Sequence, residues 1–429
     1  MSKNAQNQPE NSNPDLFDHS DPREEGVKLS KNQNVEKWLK QIYKFRFNTI
    51  KQKPEYKPIS EDISKLWKPI DKYKLLSIKR DLDAAGHSIS KDALLDILCS
   101  SYSPAVNPVK EYFRALPVWD GITDYISKLA DTVKCRNDQD WQIYIEKWLV
   151  SVVANVFIDE RCANHTMLVL AGGQGLYKTT WLEHLCPKTL TPYMYTGKID
   201  PTNKDSLTYI AEFLFVNIDD QLAQLNKKDE NEIKNLVTVN SVKYRRPYDP
   251  IITEYPHLCS FMASVNNLDF LNDATGSRRY LPFEVERIDM DKAKTIDMDL
   301  LWSQAFHLFT NGFRYWFNSV EVEKLNERNK HFAIITIEED LLNYYYKSEA
   351  SNSMERHIEL TTGVILVHLE NKSRNKLSKK KLGESLMKLG FKRRQKSIDG
   401  NRVWVWMIVE KTQEEIERVM NGNELQESF

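Results

Sequence analysis

"TMLVLAGGQGLYKTTWLEHL" (residues 166–185) passes from an apolar run through a glycine-rich loop into helix-forming residues. In the pattern G-x-x-x-x-G-K-[ST] between a strand and a helix, backbone N–H groups wrap the phosphates of a nucleoside triphosphate. The lysine reaches the β and γ oxygens, and the hydroxyl after it holds Mg²⁺. Here Gly172, Gly173, Gln174, Gly175, Leu176 and Tyr177 make the loop, Lys178 is the lysine, Thr179 is the metal hydroxyl and Thr180 follows it. Tyr177 stands where the last glycine belongs, so its side chain must tolerate the backbone angles of that position or point away from the nucleotide. The other reading is a loop that no longer binds.

Working outward, "EFLFVNIDDQ" (212–221) ends an apolar strand on Asp219 and Asp220. Hydrolysis needs such a pair, one carboxylate positioning Mg²⁺ and its water and the other polarising the attacking water. Capping aspartates are the alternative. A third run, "CSFMASVNN" (259–267), brings Asn266 to a strand end, where it would sense the γ-phosphate or orient water. "FLNDATGSRRY" (270–280) follows, and Arg278 and Arg279 would supply a cation for charge developing at the γ-phosphate, or else form a solvated surface pair. Short apolar runs alternating with helices predict an α/β core with a largely parallel sheet.

Between the acids and Asn266 lies "NSVKYRRPYDP" (240–250), where Lys243, Arg245 and Arg246 interleave with Tyr244 and Tyr248. Cations for phosphate and aromatic rings for stacking are what a single-stranded nucleic-acid loop uses. A basic hairpin touching a neighbouring subunit is the alternative.

Together, "GGQGLYKTT", "FVNIDD", "VKYRRPYDP" and "SVNNLDFLNDATGSRRY" resemble the virulence-associated protein E family of mobile elements and prophages. The resemblance covers about residues 105 to 320, including "NPVKEYFRALPVWDG". That family is similar to superfamily 3 helicases, a branch of the AAA+-type P-loop ATPases. The resemblance implies that Lys178 and Thr179 bind phosphate and Mg²⁺, that Asp219 and Asp220 are the Walker B acids and that Asn266 is the sensor. Arg278 or Arg279 would be a finger reaching into the next subunit of a ring, expected to be a hexamer, with the basic hairpin lining its channel. Asp220 stands where glutamate is commoner, and with Tyr177 it would slow hydrolysis without abolishing binding.

Residues 1–34 are polar and poor in large apolar groups, and are expected to be a disordered tail. Residues 35–134 read as a mixed, mostly helical domain, and 135–320 as the ATPase. Within the latter, "QDWQIYIEKWLVSVVANVFI" (139–158) places Trp141, Tyr144, Ile145, Trp148, Leu149, Val152 and Val153 on one helix stripe. Residues 321–410 read as a helical linker and a winged-helix-like module, and 411–429 as an acidic tail expected to fray. In that module "LSKKKLGESLMKLG" (377–390) is a helix capped by Ser378 and closed by Gly390. "FKRRQKSIDGNRVWVWMIV" (391–409) is a hairpin turning at Asp399–Gly400. Lys379, Lys380, Lys381, Arg393 and Arg394 make its exposed side cationic, which fits DNA, although such modules also bind proteins.

Lysine plus arginine (60) balance aspartate plus glutamate (61), so any nucleic-acid surface must come from local clustering. Five scattered cysteines argue against a disulfide framework or zinc site, and Cys162 with His165 reads as packing or surface. No apolar segment resembles a signal peptide or a span of about 20 residues, so a soluble cytoplasmic protein without membrane contact is expected. The reading the residues support best is a DNA-dependent, ring-forming helicase of a mobile element that uses ATP and Mg²⁺ on single-stranded or forked DNA. If priming accompanies unwinding, a separate primase, another replication protein or a missing portion would supply it, because residues before about 130 show no primase site. Two alternatives stay open: an ATPase switch in a defence or regulatory complex, and a non-hydrolysing DNA-binding initiator or regulator.

Overall fold

Ser30 accepts a hydrogen bond from the Gln33 N–H while the Gln33 side chain accepts one from the Ser30 N–H, a reciprocal cap that starts the first helix. In the computed structural model, which describes residues 30–60, 66–136, 139–160, 162, 164–203, 206–246, 251–272, 277–348, 357–398 and 401–418, helix α1 is Lys31–Ile42. It takes in residues 31–34, assigned above to the tail. The rest of that segment and the Asp399–Gly400 turn lie outside the described residues.

The chain divides at Pro108. In the first unit β1 (Tyr43–Asn48), β2 (Lys53–Pro58), β3 (Lys68–Pro69) and, after α2 (Lys72–Ala84) and α3 (Lys91–Leu98), β4 (Ala105–Val106) form a sheet ordered β3-β2-β1-β4. Val35, Leu39, Phe45, Ile78, Leu82 and Leu94 meet in its core.

Beyond α4 (Pro108–Ala115), the second unit continues through α5 (Tyr125–Ala130), β5 (Val133–Cys135), α6 (Trp141–Phe157), β6 (Met167–Ala171), α7 (Lys178–His184), β7 (Met194–Gly197), α8 (Ser206–Glu212) and β8 (Phe215–Asp219). After α9 (Lys227–Thr238) come the hairpin β9 (Ser241–Tyr244) and β10 (Thr253–Pro256), then β11 (Ser260–Val265), β12 (Tyr280–Ile288), α10 (Met290–Lys294) and α11 (Met298–Thr310). The domain boundary lies upstream of the expected residue 134 because β5 pairs with β12, and the Gln304 side chain of α11 accepts the Tyr125 and Ile126 N–H groups of α5.

The sheet runs β5-β12-β6-β11-β8-β7. All its pairings are parallel except that of β5. Counted among themselves in chain order, the parallel strands therefore lie fifth, first, fourth, third, second. Strands β6 and β11 are buried along their whole length, which is why they read as unbroken apolar runs instead of alternating ones. The predicted α6 stripe is buried throughout, and Trp148 stacks near Phe215 of β8. Trp181 fixes α7: its buried indole N–H donates to Thr132 Oγ1 at 2.9 Å. Helix α11 ends at Thr310, and Gly312 turns the chain at φ +78° just beyond it.

Helix α12 (Ser319–Asn329) is tied down through Glu321. This carboxylate accepts from Lys147 Nζ at 2.7 Å and from both terminal nitrogens of Arg314 at 2.7 and 2.9 Å, and Lys147 is a buried ammonium. Burial would raise the Glu321 pKa, but the Arg314 and Lys147 bonds outweigh it and lower it to about 2. Glu321→Ala is expected to destabilise the fold by about 3 kcal/mol in denaturant titrations, because it strands the Lys147 charge. Since the carboxyl is depressed in the fold, its contribution is present above its ordinary 4.5 and fades as pH falls toward 2. Acid unfolding should therefore be steeper in the wild type than in Glu321→Gln.

The last elements are α13 (Ile337–Tyr345), β13 (Tyr346–Lys347), β14 (Ile358–Leu360), α14 (Thr362–Ser373), α15 (Lys379–Lys388), β15 (Lys392–Ile398) and β16 (Asn401–Glu410). They share a core that includes Leu342, Ile365, Leu369, Leu382, Leu386 and Ile408, and β16 pairs antiparallel with β13, β14 and β15. Ser378 caps α15, and Gly390 leaves it at φ +77°, as expected. Residues 413–418 are helical rather than frayed, because the Glu415 carboxylate accepts from the Thr412 N–H at 2.8 Å and from Lys347 Nζ at 2.7 Å. The rest of the acidic tail, 419–429, lies outside the described residues. Among the described residues no helix is long and apolar enough to cross a membrane.

Candidate functional site

Strand β6 lies between β11 and β12, so the chain leaves the middle of the sheet at residue 171 and turns over the carboxyl ends of the strands. In an open parallel sheet this is where ligands bind. Gly172 is obligatory there: its φ is +147°, and a Cβ would sit 2.7 Å from the Val285 carbonyl oxygen of β12. The loop enters α7 at Tyr177, whose φ of +60° is left-handed. A non-glycine residue pays about 1–2 kcal/mol for that conformation. Tyr177 adopts this glycine-like backbone with its side chain 62% exposed.

A cleft of about 530 Å³ opens over this loop, lined by residues 174–180 together with Asp219, Asp220, Ser264 and Asn266. Lys178, only 5% exposed, donates from Nζ to the carbonyls of Gly172 (2.8 Å) and Gly173 (2.6 Å) and to Asn266 Oδ1 (3.2 Å). Burial lowers the pKa of this ammonium, and Asp220 and Asp219 partly offset the shift. Four elements thus bring the lysine, both acids and the asparagine to one place.

Thr179 Oγ1 donates to Asp219 Oδ1 at 2.8 Å, and Ser264 Oγ donates to the same oxygen at 2.6 Å. Ser264 was missed by sequence reading, although its signal was available: it lies near the end of β11, two residues before Asn266, the spacing that puts side chains on one face of an extended chain. Thr179, Ser264 and Asp219 make a hard oxygen set of the kind Mg²⁺ accepts beside nucleotide phosphates. Among the described residues no group of three or more His, Cys, Asp or Glu side chains could hold a metal ion unaided. Asp220 ends β8 at φ +46°, with its N–H on the Ser264 carbonyl at 3.0 Å, a left-handed turn that presents its carboxylate to the cleft.

Arg278 and Arg279 are not part of this cleft. They precede β12, whose first residue, Tyr280, pairs with Met167 at the start of β6, whereas the loop follows the end of β6. A five-residue strand, about 16 Å long, separates the two ends. The arginines sit beside His165, whose pKa is lowered by burial and by both guanidinium groups. Arg279 Nε is buried and has no hydrogen-bond partner among the described residues.

The basic stretch forms the β9–β10 hairpin, but its cations are unequal. Arg246 pairs with Glu212 at 2.9 Å and packs over the rings of Tyr244 and Tyr255, so it holds the hairpin to α8 and is not presented to solvent. Lys243 pairs with Glu254 at 3.1 Å. Arg245 is exposed, with no ion pair among the described residues, and Tyr248 lies outside them.

In the C-terminal module Arg394 pairs with Glu359, and Lys396 pairs with the same carboxylate at 2.8 Å, so Arg394 is partly neutralised. Arg393 lies over the Trp404 ring at 4.7 Å. Lys379, Lys380 and Lys381 are exposed and unpaired among the described residues, on the first turn of α15. Cations there oppose the helix dipole, so folding does not favour them.

Together these features define a mixed α/β protein whose candidate chemistry gathers at the carboxyl ends of a parallel sheet. Residues 114–334, just over half of the chain, match the virulence-associated protein E-like domain, and the chain belongs to that family. No curated protein matches the chain. The solved structures similar to it include the apo structure of the NrS-1 C-terminal region, residues 305–718, at 11% identity and a TM-score of 0.49. An A form apo structure of the same region stands at 12% and 0.48. Each comparison covers 87% of this chain and 98% of the other.

Proposed function

We propose that this protein is an ATP-hydrolysing, DNA-dependent motor of a mobile element or prophage, working as a homo-oligomeric ring, with a P-loop ATPase core and a C-terminal winged helix. The observation that carries the reading is the convergence of Lys178, Thr179, Asp219, Asp220 and Asn266 in one cleft at the point where the strand order reverses.

The loop N–H groups and Lys178 would hold the triphosphate, the lysine exchanging its bonds to the Gly172 and Gly173 carbonyls for phosphate oxygens. Thr179, Ser264 and Asp219 would hold Mg²⁺, which neutralises charge on the phosphates when bound. Asp220 would accept the proton of the attacking water, and Asn266, released from Lys178, would orient that water. Because Arg278 and Arg279 lie at the far end of the strands, they would serve a neighbouring subunit's cleft.

The order α13, β13, β14, α14, α15, β15, β16 supports the winged-helix reading, in which α15 and the β15–β16 hairpin would face DNA. Replacing Lys379, Lys380 and Lys381 together by alanine is expected to reduce the slope of log affinity against log salt by about 2 to 3 on duplex DNA. Arg394→Ala should change that slope less, since Glu359 already offsets its charge. Fluorescence anisotropy across a salt series reads both.

The decisive test is ATP turnover by the full chain at concentrations that permit assembly, with and without single-stranded DNA. DNA-stimulated turnover supports the motor. Turnover indifferent to DNA favours the nucleotide switch, and no turnover in any condition sinks the ATPase reading.

A further inference from the structure

A second cleft of about 370 Å³ shares Tyr177 and Thr180 with the first. Its other walls come from the end of β12 and from α10, where the largely buried Ile288 and Met290 supply the apolar part and Arg287, Asp289, Asp291 and Lys294 a charged rim. Helix α10 is held against α7 by a bond between His184 Nε2 and the Ala293 carbonyl at 3.0 Å, so this wall and the loop keep a constant spacing.

Among the described residues Tyr177 is the only aromatic side chain on either cleft. A left-handed backbone disfavours it, and no packing accounts for it, since the side chain is 62% exposed. A phosphate-binding loop needs no side chain at this position, and glycine would serve the phosphates better. A ring between a polar phosphate cleft and a half-apolar neighbour has the chemistry to stack on a flat heterocycle joined to those phosphates.

We propose that the second cleft is the nucleobase subsite and that Tyr177 is the wall against which the base stacks. This rests on the nucleotide-binding reading above. The tyrosine replaces lost glycine freedom with affinity for the base, and the phosphates are held as before by Lys178 and the loop.

The test compares Mg²⁺-ATP with Mg²⁺-tripolyphosphate, which has the phosphates and no base, by calorimetry on the full chain. Tyr177→Gly is expected to weaken ATP binding about tenfold or more while leaving tripolyphosphate binding as tight or tighter. Glycine suits the backbone angles at 177, so misfolding is not the expected cause, and thermal melting checks it. Tyr177→Phe, which keeps the ring, should recover most of the lost ATP affinity. Equal effects of Tyr177→Gly on both ligands, or none on ATP, would overturn the base subsite and leave the phosphate site standing. If wild type binds neither ligand, or if Lys178→Ala changes neither, the nucleotide reading itself fails and takes the base subsite with it.

Discussion

Lys178→Ala is expected to cut ATP turnover by at least about 100-fold, the usual effect of losing one preorganised donor to transferring phosphate oxygens. The buried ammonium already sits among the Gly172 and Gly173 carbonyls and Asn266, so no side-chain search precedes phosphate binding. Asp220→Asn is the informative partner. Asparagine tolerates the left-handed backbone at this position, so the turn should persist while the proton acceptor is lost. Turnover should fall by about 10² to 10⁴ with ATP affinity retained. If Asp220→Asn instead lost binding and turnover equally, its role would be structural and another group would have to activate the water. Titration with a fluorescent ATP analogue beside steady-state hydrolysis separates the two.

Equally large is the expected loss from the arginine pair. Removing the cation that stabilises charge at the γ-phosphate should cost about 10³ to 10⁵ in turnover. Arg278 and Arg279 lie at the opposite end of β6 from the loop, so the loss should complement in trans. Mixing an inactive Lys178→Ala chain with an inactive Arg278→Ala or Arg279→Ala chain should restore part of the activity, because some interfaces then join an intact loop to an intact arginine. Whichever substitution complements identifies the finger. A mixture that stays silent although both chains co-assemble would show that the pair does not act across an interface.

The glycine loop, the apolar runs before and after it and the cap-forming residues of α15 are local signals. They fix strand, turn and helix within a few residues of chain, so the α/β character, Lys178, Thr179, Asp219, Asp220 and Asn266 were all legible. Strand order was not, because a short apolar strand carries no label for its neighbours. The Pro108 boundary was missed for the same reason: β5 belongs with β12 through a pairing across some 150 residues of chain.

Residue types determined which groups could do chemistry, and the tertiary structure decided which are available for it. Arg246 and Arg394 read as phosphate contacts in the sequence, yet Glu212 and Glu359, distant along the chain, hold them as ion pairs. Ser264 read as a strand residue, but it shares the Asp219 oxygen with Thr179. Periodicity and motif spacing report the backbone a few residues at a time. The partner of a charge is set by how strands and helices far apart in sequence come together, and only the folded chain contains that information.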